Sequence, residues 1–147
     1  MSLPQGVEHR HIPAARVAYT RFHMITRPDL PAILQDLAAA LPPGSVTGSP
    51  YLHIQSFSSY TEGYAAEAGF PVTPDLQESP VRIKIIPALE VLSLLHTGTV
   101  ESIRESKLAL YGFARQNALI SDEFSREVYP AWPDSLIPVE VNFVIHN

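Results

Sequence analysis

Two stretches, Ile12-Pro13-Ala14-Ala15-Arg16-Val17 and Ile86-Pro87-Ala88-Leu89-Glu90-Val91, decide how this chain folds. Each sets Ile-Pro-Ala inside a run of β-branched and apolar residues, with a valine three positions further on. Proline gives a sheet no donor, so each reads as an extended strand with a bend or bulge at the proline. The second lies 74 positions after the first, and Leu34 matches Leu108 at the same offset. Glu67 and Phe70 recur one residue closer, as Glu140 and Phe143. Matches that keep their order at half the chain length predict a tandem duplication.

Each copy reads as strand, helix, strand, strand. In the first, residues 7–23 are extended, and Asp29 is placed to cap a helix. Leu30, Ile33, Leu34, Leu37 and Leu41 follow at helical spacing until Pro42-Pro43-Gly44 stops them. Residues 51–58 and 64–72 read as strands, and residues 73–80, with Pro74, Asp75, Ser79 and Pro80, as a linker. In the second copy residues 82–96 are a strand, and Thr99 is placed to cap a helix with Ile103, Leu110 and Ala114 on its buried stripe. Gly112 costs that helix about 1 kcal/mol relative to alanine, which suggests close packing against the sheet. Residues 125–132 and 139–146 are the closing strands, the last with Val139, Val141, Phe143 and Ile145 on one apolar face. The predicted fold is α+β: a single domain over residues 1–147, with module one at about 7–72 and module two at about 81–146. Pseudo-twofold symmetry relates the modules in an antiparallel sheet, with both helices on one side and a ligand cleft between modules.

Composition narrows the function. The 147 residues are 46% hydrophobic and 17% charged, enough for one domain with a true core. A net charge of −5 with scattered basic residues predicts no direct nucleic-acid contact and no attraction to an anionic membrane. The chain has no cysteine, which removes disulfides, thiolate nucleophiles and thiolate metal sites. It shows neither an export signal nor an apolar run long enough to span a bilayer, so a cytoplasmic location is expected. The 14 prolines are dispersed and punctuate short elements.

The candidate site is the stretch Ser-Arg-Glu-Val-Tyr-Pro-Ala-Trp, residues 125–132. Strand alternation puts Glu127 and Tyr129 on one face, and Arg126 and Val128 on the other. Pro130 marks an edge or a strand end, leaving Trp132 at a rim where its ring can cover a guest. A covered carboxylate needs compensation, by a ligand or by a protein cation such as arginine or histidine. Carried through the repeat, His53 corresponds to Glu127 and Gln55 to Tyr129. With one sheet face taken by the helices, the other is expected to form a pocket of Glu127, Tyr129 and Trp132, with Tyr51 and His53 approaching from the first half.

Other chemistry is thin. His9 and His11 share a strand face, but no third metal ligand is identifiable nearby, and no metal or cofactor is expected. Ser49, Ser58 and Ser93 lack a nucleophile turn, and the isolated glycines form no phosphate loop. His96-Thr97-Gly98 reads either as an anion-binding helix start or as a simple turn and cap. Tyr19, Tyr51, Tyr64, Phe57 and Trp132 are core or pocket lining.

Ile86-Pro87-Ala88 through His96-Thr97-Gly98, the helix after it, and Arg126-Glu127-Val128-Tyr129 together resemble the GyrI-like small-molecule-binding domain. That is also the effector-binding domain of multidrug-sensing regulators of the MerR and AraC classes. Glu-Ala-Gly-Phe-Pro-Val at residues 67–72 resembles the end of the family's first half, and the likeness extends over residues 7–145. It implies two strand-helix-strand-strand modules about a cleft, with Glu127 in the place of the family's cleft glutamate. The family often has an aromatic residue shortly after the glycine matched by Gly98, where this chain has Thr99-Val100. The resemblance implies a stand-alone binder of lipophilic, aromatic, often cationic small molecules, with Glu127 as polar anchor. The alternative is a hydrolase of electrophilic cyclopropane-bearing toxins that uses Glu127 and Tyr129. A small molecule is the expected partner, and the reading leaves room for a homodimer.

Overall fold

A sheet curls when its outer strands are bent and paired with each other, and the two Ile-Pro-Ala segments do this here. The computed structural model describes residues 3–24, 29–59, 63–78 and 80–146; Ser79 of the expected linker lies outside them, as do the side chains of Gln55, Phe57, Ser58 and Tyr64. The strands are β1 (Val7–Ile12), β2 (Ala15–Met24), β3 (Tyr51–Ser59), β4 (Gly63–Pro71), β5 (Arg82–Ile86), β6 (Leu89–His96), β7 (Ile120–Val128) and β8 (Val139–His146). The helices are α1 (Leu30–Ala39), between β2 and β3, and α2 (Ile103–Gln116), between β6 and β7.

All eight strands join one sheet of order β1-β6-β8-β7-β3-β4-β2-β5, with antiparallel pairing throughout. The chain bends at Pro13-Ala14 and Pro87-Ala88 without losing register, since Ile12 faces Leu89 and Ala15 faces Ile86. The two bent strands therefore pair on both sides of the bend, from Val7 to Tyr19 against Leu94 to Arg82, and bring the ends of the strand order together. The expected single strand over residues 82–96 is accordingly two, because Pro87 interrupts the ladder.

In each half the last strand lies between the other two: β4 between β3 and β2, β8 between β7 and β6. The halves meet where β3 pairs with β7. Leu52 faces Ala68 in the first half, and Glu127 faces Val141 in the second. Across the β3–β7 junction, then, Glu127 pairs with Leu52, and His53 pairs with Arg126. A one-residue difference of this kind moves a side chain to the other face.

Both helices pack on the same face. Leu30, Leu34 and Leu37 of α1 and Ile103, Leu110 and Ala114 of α2 join one core with Ala18, Leu52, Phe70, Leu92, Val141 and Phe143. Neither helix start uses the expected side-chain cap. Asp29 makes no capping hydrogen bond, and α2 begins after Ser102, three residues beyond Thr99. Gly112 does not pack closely: a Cβ built there meets nothing within 4 Å, because the glycine faces away from the sheet. Among the described residues no helix is long and apolar enough to cross a membrane.

Candidate functional site

Cross-strand pairs place directly opposed residues on one face, so each face can be followed across the sheet. On the helix face one row runs Val7, Leu94, Val141, Glu127, Leu52, Ala68, Thr20. Glu127 is the one acid of that row, flanked by Val141 and Leu52, and it has no exposed surface. On the reverse face a row runs Glu8, Ser93, Asn142, Arg126, His53, Glu67, Arg21. All seven of its members are polar.

The sequence expectation that Glu127 faces away from the helices is therefore corrected: it points under α2. Alternation gives the parity of a strand but not the direction of its core. Tyr129, fully buried just beyond the end of β7, donates its hydroxyl proton to Glu127 Oε1. The strand ends there as Pro130 requires, and the Tyr129 amide bonds the Pro50 carbonyl at 3.0 Å. The Lys107 ammonium, on α2, lies 2.5 Å from Glu127 Oε2 with 17% of its side chain exposed. Trp132 is half-buried against the same core and meets Phe70 edge to face, ring centroids 5.2 Å apart. Glu127, Tyr129 and Trp132 thus share one face.

Tyr51 and His53 stand on the other face. Tyr51 is buried with Val17 and Ile86, opposite Val128, and the Arg126 guanidinium lies 5.7 Å from its ring centre. The Tyr51 ring lies over Gly69, where a Cβ would come within 2.7 Å of it. From there its hydroxyl donates to Glu67 Oε2 at 2.8 Å. Burial, then the nearby Glu67 carboxylate, pushes the Tyr51 phenol well above its usual range. For His53, burial and the Arg126 charge hold the imidazole below its ordinary pKa.

Sequence reading missed two residues. Glu67 is 1% exposed and receives Lys84 Nζ at 2.5 Å and Arg21 Nε at 3.4 Å besides Tyr51. Burial raises its pKa, but the hydrogen bonds from Lys84 and Tyr51 and the Lys84 charge outweigh that and hold it below the usual carboxylate range. The available signal was alternation in β4, where Ala66, Ala68 and Phe70 face the core and Glu67 and Gly69 do not. Lys107, the other, carried no signal in a helix face that reads as exposed.

Beside this polar set, Arg126 Nε and the Asn142 side-chain amide are buried without hydrogen-bond partners, directly opposed on adjacent strands. His9 and His11 each bond Glu90, at 2.9 and 2.7 Å. Among the described residues no three histidine, aspartate or glutamate side chains gather where they could hold a metal. His96 ties β6 to the start of α2. Its Nε2–H donates to the Thr99 carbonyl at 2.7 Å, leaving Nδ1 to accept from the Ser106 hydroxyl at 2.8 Å. Of the turn and cap read at His96-Thr97-Gly98, the turn is present, while no side chain caps α2.

No protein-family profile matches the chain, and no curated protein matches it. Solved structures do. The crystal structure of the EcmrR C-terminal domain superposes with a TM-score of 0.76 at 21% identity, over 96% of this chain and 97% of that one. The chain has the GyrI-like fold. EcmrR in its DNA complex superposes at 0.79 with 19% identity; the match covers 96% of this chain but spans only 57% of the EcmrR chain. A hydrolase from Listeria innocua with this fold gives 0.67 at 11% identity, over 99% and 94% of the two chains. SAV2435 bound to tetraphenylphosphonium gives 0.59 at 10%, over 95% and 92%.

Proposed function

We propose that this chain is an effector-type domain that binds lipophilic, aromatic small molecules, cations included, on the helix side of its sheet. The observation that carries this reading is Glu127, a carboxylate without exposed surface flanked in its row by Val141 and Leu52, engaged by a tyrosine hydroxyl and an ammonium. A carboxylate removed from water is costly unless a cation and hydrogen bonds compensate it. A ligand's positive charge can fill that role, with Trp132 and Phe70 offering aromatic surface beside it. SAV2435, of the same fold, was solved with a lipophilic cation bound. We read the two halves, which share their strand order, as tandem copies about a pseudo-twofold axis with the cleft where β3 meets β7. Glu127, Tyr129 and Trp132 form the ligand side of this site, while Tyr51 and His53 support the same strands from behind.

The test is a pair of probes of similar shape, tetraphenylphosphonium and neutral triphenylphosphine oxide. Glu127→Gln is expected to weaken the phosphonium by roughly 2 to 5 kcal/mol, as loss of one partner of a desolvated ion pair does, and to leave the oxide nearly unchanged. Equal affinity for both probes in wild type and variant would sink the reading.

A hydrolase is the second reading, favoured by the name given to the Listeria innocua chains of this fold. In it Glu127 acts as general base and Tyr129 as proton donor while water attacks a cyclopropane-bearing electrophile. It is weaker because both Glu127 oxygens are already engaged by side chains. Under it Glu127→Gln abolishes turnover and leaves substrate binding largely intact.

A further inference from the structure

We infer that Lys107 is a tethered competitor for the ligand's charge: its ammonium holds the place on Glu127 that a bound cation takes, so cations enter by exchange with it. This rests on the ligand-binding reading above and adds to it the residue that sets selectivity between charged and neutral guests.

Three observations support the exchange. The ammonium is 2.5 Å from Glu127 Oε2, so a guest cation cannot approach that oxygen without moving it. Part of the Lys107 side chain is exposed although Glu127 is not, so the lysine reaches both the buried carboxylate and solvent. The backbone of α2 is fixed by Ile103, Leu110 and Ala114 in the core, so the exchange needs only rotation of a flexible four-carbon stem. Lysine suits this better than arginine, since it binds as a point charge and gives up no bidentate fork on leaving.

A competitor lowers apparent affinity by the fraction of molecules in which the site is open. A neutral guest gains little by displacing Lys107, because it offers Glu127 no replacement charge. Removing the ammonium is therefore expected to strengthen cations selectively.

The experiment measures binding of tetraphenylphosphonium and triphenylphosphine oxide to wild type, Lys107→Met, Lys107→Arg and the double variant Lys107→Met/Glu127→Gln, with thermal melts to establish that each is folded. Lys107→Met is expected to tighten phosphonium binding by about ten- to a hundredfold and to change oxide binding by less than about twofold. The gain should vanish in the double variant, and Lys107→Arg should stay at or below wild-type affinity. If Lys107→Met fails to fold, Lys107→Gln serves in its place. Unchanged or weaker phosphonium binding on loss of the ammonium overturns the inference, while the Glu127→Gln result above still stands or falls by itself. Failure of every variant to bind either probe overturns the ligand-binding reading as well.

Discussion

Glu67 and Glu127 are two buried glutamates on opposite faces of one sheet, and each is met by a tyrosine hydroxyl and a lysine ammonium. What differs is where the cations come from. Glu67 takes Lys84 from β5 and Arg21 from β2, strands joined to its own neighbourhood by the ladder. Glu127 takes Lys107 from α2, whose position depends on side-chain packing. The first set is stapled by backbone hydrogen bonds, whereas the second can part without breaking a strand pair. The comparison separates an acid held within the strand ladder from one held across the contact between sheet and helix.

The sharpest way to break this comparison is to remove each carboxylate and measure unfolding in urea. Glu67→Gln takes the negative charge from Lys84 and Arg21 and one of the two acceptor oxygens from the set, and is expected to cost about 3 kcal/mol, while Glu127→Gln costs much less because Lys107 can turn to solvent. Equal losses would erase the distinction. Acid tests the Glu67 side. The folded-state pKa of Glu67 is depressed, so its contribution is complete above the unfolded value near pH 4.3 and is lost as pH falls through the folded one. In Glu67→Gln that part of the acid limb should be missing.

Gly69→Ala tests the Glu67 side from the backbone. Its Cβ would stand 2.6 Å from the Ala18 carbonyl oxygen and 2.7 to 2.8 Å from Tyr51. The ring must move off Glu67, at an expected cost of about 1 to 3 kcal/mol in stability, while phosphonium binding at Glu127 stays near wild type.

The smallest effect belongs to His53. Burial and Arg126 hold its pKa down, so the stability it contributes is present above about pH 6.5 and declines as pH falls below that value. A slight fall in the urea midpoint between pH 7.5 and 5.5 is expected, and His53→Asn should flatten it.

Much of this fold was legible because it is written locally. Pro13 and Pro87 marked the bends, Ile103, Leu110 and Ala114 the buried stripe of α2, and Val139 to Ile145 the inner face of β8. The grouping of Glu127 with Tyr129 followed from alternation alone. Which face the helices cover did not, because that depends on how distant strands are registered, and a one-residue offset exchanges Leu52 for His53 as the residue paired with Glu127. The partners of the two acids were also beyond reach. Lys84 and Arg21 come to Glu67, and Lys107 to Glu127, only after distant segments have paired, and no local pattern distinguishes those three cations from solvated ones.

The unbroken register through both Ile-Pro-Ala bends has a consequence for how this domain meets other chains. It leaves β1 and β5, six and five residues long, at the ends of the strand order, with Glu8 and Arg10 on one and Arg82 and Lys84 on the other. Short, charged borders are poor templates for strand addition or for runaway edge-to-edge assembly. Strand addition is thereby disfavoured at both borders, and the curled sheet keeps the width that its own eight strands give it.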